Sequence, residues 1–111
     1  MRPVLKSQYH ASLAMLRDTI ERCPDALWTS GDYLYTKEEV LAYRNICDSA
    51  IDRAVDALDI TNPDCGFFWY KVSKIEHQII SLRHLQHHMA QLGDRIRAAA
   101  NTGIGWVGSR P

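Results

Sequence analysis

Two helix-start signals, each followed by apolar residues at helical spacing, constrain this chain more than any other feature. Thr36 stands three residues before Glu39, and Ser73 three before Glu76. In that pattern the hydroxyl accepts from a first-turn N–H while the carboxylate reaches back to the cap's own N–H, so two orphaned donors are satisfied. Val40, Tyr43, Cys47, Ala50, Ile51, Ala54 and Leu58 follow the first cap at helical period, and Thr61-Asn62-Pro63-Asp64 stops the run. Arg44, Asp48, Asp52 and Asp56 fall on its polar side. Ile75, Ile79, Leu82, Met89 and Ile96 follow the second cap, with a stop at Asn101-Thr102-Gly103. Ahead of both, Leu5, Tyr9, Leu13, Leu16 and Ile20 form a third stripe that ends before Pro24, with Pro3 tolerated in the first turn. The pattern predicts one all-α domain, an up-down bundle of three long helices over about 4–22, 37–58 and 73–100.

The connections carry less information. Pro24 to Leu34 reads as a turn-rich link without a regular helix, in which Leu27, Trp28 and Tyr33 cover the end of the core. Cys65-Gly66-Phe67-Phe68-Trp69-Tyr70 has no partner strand in view, so it reads as an extended, packed loop. The segment Gly103-Ile104-Gly105-Trp106-Val107-Gly108 is glycine-rich but follows a helix instead of a strand. It therefore does not resemble a nucleotide-binding loop and reads as a tail that packs Trp106 onto the bundle or onto a second subunit.

Composition narrows the function classes. The chain has 111 residues, room for one core and not two. Thirteen basic residues balance thirteen acidic ones, and no segment gathers the Lys/Arg run that phosphate neutralisation requires, which argues against nucleic acid as a partner. The same balance leaves little repulsion against self-association. Three cysteines, widely spaced and odd in number, fit a reduced, cytoplasmic setting, with Cys47 a small buried hydrophobe in its apolar stripe. No signal-peptide core and no membrane span is apparent, and no G-x-S-x-G elbow supports a nucleophilic hydrolase.

Histidine placement is the chemical signal. His84 and His88 stand at i and i+4, so both imidazoles project from one helix face, a spacing that chelates a transition metal. His77, Gln91 and Arg95 continue that stripe, whereas His87 falls off it. The competing reading is a solvated polar face. A catalytic site needs three protein ligands and an open position. His77 is roughly 10 Å along the axis from His84, too far to share its ion. That leaves His10 on the first helix as the intrachain candidate, or a histidine of a partner chain.

These residues resemble the DinB/YfiT-like family of bacterial four-helix bundles. The resemblance rests on Tyr9-His10-Ala11-Ser12-Leu13, the turn around Trp28, the Phe67-Phe68-Trp69-Tyr70 approach and above all Arg83-His84-Leu85-Gln86-His87-His88-Met89-Ala90-Gln91-Leu92, and it covers roughly Lys6 to Asp32 and Phe67 to Pro111. It implies His84 and His88 as ligands of a divalent metal such as zinc or nickel, with Gln91 beside them. The activity implied is that of a metal-dependent, thiol transferase or hydrolase type of enzyme acting on a small molecule, or of its inactive relic. One departure stands out. The family supplies its third histidine from a further helix soon after the first, whereas this chain passes almost directly into the Thr36 cap and has no histidine between His10 and His77. It resembles a DinB-like protein with an internal segment missing, by nature or by design. Three helices leave such a bundle one short, and a homodimer is the economical repair. The alternative function is a non-catalytic, self-associating bundle, with Tyr43, Ile51, Leu58, Ile79, Leu82 and Met89 as core or interface.

Overall fold

The computed structural model describes residues 1–31 and 34–111, and among these it contains helix, turn and coil but no strand. Tyr33, expected to cover the core, lies outside the described residues. Helix α1 spans Arg2–Arg22, α2 Asp25–Thr29, α3 Lys37–Asp56 and α4 Lys74–Ala100. None of these is long and apolar enough to cross a membrane.

The caps explain the long helices. Thr36 Oγ1 accepts from Glu39 N–H at 3.1 Å, and Glu39 Oε1 accepts from Thr36 N–H at 3.2 Å, the full reciprocal box. Ser73 Oγ makes the hydroxyl half at α4, accepting from Glu76 N–H at 3.2 Å. Asn101 ends α4 in the left-handed conformation, φ 52°, a geometry that asparagine tolerates. α3 stops at Asp56, two residues short of the expected Leu58. The link after α1 needs a correction, because it does hold a short helix. Pro24, fixed at φ −59°, is the N-cap of α2, and Asp25 places a carboxylate against its N-terminal dipole.

α1 is the axis of the molecule. α3 packs antiparallel along one side of it, as Lys6–Asp56 (2.7 Å) and Arg17–Asn45 (3.4 Å) mark at the two ends. α4 packs parallel along another side. There Tyr9 Oη donates to Gln78 Oε1 at 2.8 Å, and burial pushes the Tyr9 phenol up, so it stays a neutral donor. The tail returns along α1, held by Arg22 Nη1 to Gly103 O, Gln8 Nε2 to Gly108 O and Arg110 N–H to Ser7 Oγ, each at 2.9–3.0 Å. Gly93, buried in the C-terminal part of α4, makes room where the tail crosses, since a Cβ there would force the end of the Ile104 side chain to shift. Trp106 does not follow the tail inward and stands exposed, so of the two placements expected for it this chain does not make the one onto its own bundle.

Among the described residues half of the ten buried apolar side chains, Leu5, Ala11, Leu13, Met15 and Ile20, belong to α1, while α3 contributes only Val55. α3 and α4 barely touch each other. The radius of gyration is 15.7 Å, against about 13 Å for a compact domain of this length. Accessible surface is 7444 Å² for 12.7 kDa, where a closed fold exposes about 6,200 Å². The excess, on the order of 1,200 Å², exceeds the roughly 800 Å² that one partner commits to a standard interface.

The aromatic loop also differs from expectation. Cys65 is buried and Gly66 turns at φ 93°, but Phe67, Phe68 and Trp69 are exposed and stack chiefly on one another, Phe68 edge-on to Trp69 at 4.8 Å.

Candidate functional site

His84 and His88 meet as their spacing predicts. Their Nε2 atoms are 2.9 Å apart and both rings are exposed. His88 Nδ1–H donates to Gln91 Oε1 at 3.2 Å, which leaves its Nε2 as the acceptor for the proton on His84 Nε2. Two ligands at tetrahedral zinc, with bonds of about 2.0–2.1 Å, hold their nitrogens roughly 3.3 Å apart. A small opening of the pair, with the His84 proton moved to Nδ1, therefore presents two lone pairs to one ion. Gln91 is the outer-sphere group that orients His88.

No third ligand joins them. Among the described residues no group of three or more His, Cys, Asp or Glu side chains is placed to share one metal ion. His77, in the first turn of α4, packs against the aromatic loop, its ring 4.9 Å from Phe67 and 5.4 Å from Tyr70. His10 is buried and committed to α3: Nδ1 contacts Asp48 Oδ1 and Nε2 contacts Asp52 Oδ1, both at 2.8 Å. Both contacts are hydrogen bonds only when both ring nitrogens carry a proton. His10 thus bridges α1 to α3 in this chain and does not face the His84–His88 pair.

The α1–α3 seam is polar. Arg44 is 3% exposed, with Nη1 donating to Leu13 O at 3.0 Å and Nη2 to Asn45 Oδ1 at 2.7 Å. Arg110 of the tail grips Asp52 with both terminal nitrogens, at 3.4 and 3.0 Å. The hydrogen bond from His10 and the Arg110 guanidinium together hold the Asp52 carboxyl below its ordinary value.

It follows that part of the apolar side of α3 is turned away from α1, while Val40, Cys47, Ala50, Ile51 and Leu58 are half-buried. Tyr43 is 68% and Ile46 66% exposed, and with Tyr35, Val40 and Ala42 they line an open groove of about 500 Å³, with Glu39 at its edge. Cys47, expected inside, is half-buried beside it. Of the six residues weighed as core or interface, Met89 is buried, Ile51, Leu58 and Leu82 are half-buried, and Tyr43 and Ile79 are exposed. Sequence reasoning passed over Arg44, Asp48 and Asp52 as a solvated face. The available signal was their i, i+4, i+8 register, an acidic and basic edge suited to a histidine on a neighbouring helix.

No protein-family model, no curated protein and no solved structure matches this chain.

Proposed function

We propose that this chain is a self-associating helical module in which a second copy covers the open stripe of α3. The observation that supports it most is the orientation of α3, which spends its charged edge on α1 and leaves Tyr43 and Ile46 facing water. An exposed aromatic and aliphatic groove on a chain whose surface exceeds that of a closed fold is what an interface looks like before it is filled. Zero net charge removes the long-range penalty for bringing two copies together. A two-fold pairing lays the same stripe against itself and leaves no open end for further growth.

A second reading, the metal-dependent enzyme or relic that the DinB-like resemblance implies, is favoured by the His84–His88–Gln91 geometry. In that reading the two imidazoles hold a divalent ion, and Gln91 fixes the His88 tautomer. The ion supplies Lewis acidity toward a bound thiol or water. The third ligand then comes from a second chain, so this reading also depends on assembly. Native mass spectrometry of the untagged protein with and without Zn²⁺ tests both readings, since it reports subunit number and bound ion together. A dimer is expected in either state. A monomer under both conditions overturns the proposal, and a dimer that takes up no zinc removes the second reading alone.

A further inference from the structure

The cleft where α1, α3 and the tail converge is lined by Arg17, Arg44 and Arg110 together with His10 and Asp48, and it encloses about 150 Å³. We propose that it binds a small oxyanion, a phosphoryl or carboxylate group, between the guanidinium groups of Arg17 and Arg44. Nothing in this inference rests on self-association or on the His84–His88 pair.

The guanidinium groups here crowd one another and keep spare N–H donors. Among the described residues the three guanidinium groups here have Asp48 and Asp52 within ion-pair reach, with the Glu21 charge acting on Arg44 from further off. Asp52 is taken by Arg110 and His10, and Asp48 by His10, with Arg44 at a longer 3.7 Å. Among the described residues Arg17 forms no ion pair, and its hydrogen bond goes to Asn45 Oδ1 at 3.4 Å. The same neutral oxygen also receives Arg44 Nε at 3.2 Å and Nη2 at 2.7 Å. One amide oxygen thus stands between two cations, a position that an anion fills better. Arg44 shows the strain electrostatically: burial first, and then the nearby charge of Arg17, pull its pKa down.

Each guanidinium has five N–H donors in a planar fork. Arg44 uses one from Nε, one from Nη1 toward Leu13 O and one from Nη2 toward Asn45, so N–H groups on both terminal nitrogens remain, and Arg17 keeps four. Paired forks of this kind accept the oxygens of a phosphate or carboxylate bidentately. Asp48 at the margin disfavours highly charged anions, which points to a singly or doubly charged group carried by a small molecule. A long nucleic-acid backbone does not fit a cleft of this volume.

The test is an NMR titration following the Arg17 and Arg44 Nε–H signals at constant ionic strength. Inorganic phosphate, acetate and chloride are the three probes. Saturable shifts with phosphate or acetate, and only weak linear drift with chloride, are expected. Saturation by phosphate alone assigns a phosphoryl ligand, and saturation by acetate alone a carboxylate. Arg17→Ala, at an exposed position that leaves the fold intact by circular dichroism, is expected to weaken binding roughly tenfold, the loss of one charge-assisted contact. Arg17→Lys should recover part of it, since the charge remains but the fork does not. Equal, non-saturating shifts with all three anions overturn the proposal. So does binding that is unchanged in Arg17→Ala.

Discussion

α3 and α4 have similar amphipathic patterns and opposite fates. α4 lays Met89, Gly93 and Ile96 against α1 and the tail, and its charged residues beyond Lys74 are exposed. α3 does the reverse, burying Arg44 and offering Asp48 and Asp52 to His10, while Tyr43 and Ile46 remain outside. An apolar stripe therefore establishes that a helix will hide one face, but not which molecule hides it. For α4 the cover is in the same chain, and for α3 the account assigns it to a second copy.

The contrast can be broken most forcefully at its buried members. Arg44→Ala is expected to cost about 3 kcal/mol, because it strips the Leu13 carbonyl of its donor and leaves a hole in the seam. Ile96→Ala should cost a similar 2–4 kcal/mol by cavity formation. Ile46→Ala, measured in dilute protein, should fall within about 0.5 kcal/mol of the parent. Urea unfolding of the three variants checks the ranking, and an Ile46 cost equal to that of Ile96 would break the comparison.

His10→Ala comes next, at roughly 2 kcal/mol for two lost hydrogen bonds from a buried ring. The acid limb of the stability curve sharpens the same point. The folded-state pKa of Asp52 lies below its unfolded value, so its contribution is present above the ordinary carboxylate range and is lost as pH falls through the depressed folded value. Asp52→Asn should flatten that acid limb, as urea midpoints from neutral pH down to pH about 3 will show. The smallest structural effect belongs to His84→Ala with His88→Ala, both exposed. Helical content should hold and stability should move by less than about 0.5 kcal/mol, while any zinc uptake that native mass spectrometry detects in the parent disappears.

How much of this was legible follows from where each signal resides. The helices were, because Thr36–Glu39 and Ser73–Glu76 act within one turn, and because the i, i+4 geometry of His84 and His88 is a property of one helix. The docking of α3 was not. It depends on His10, which lies 38 residues before Asp48, and no local pattern tells a buried ionic edge from a solvated one. Helix α2 was missed because five residues give no period to detect, and its start depends on a proline that reads equally as a turn. The tail's path was hidden for the same reason as the seam, since Gly93 and Ile104 make sense only as a pair.

The most direct measurement is sedimentation velocity at rising protein concentration, on the parent and on a variant carrying Tyr43→Lys and Ile46→Lys. The account predicts a dimer for the parent and a monomer of unchanged helicity for the variant. A parent that stays monomeric at every concentration, or a dimer that survives both lysines, would contradict it.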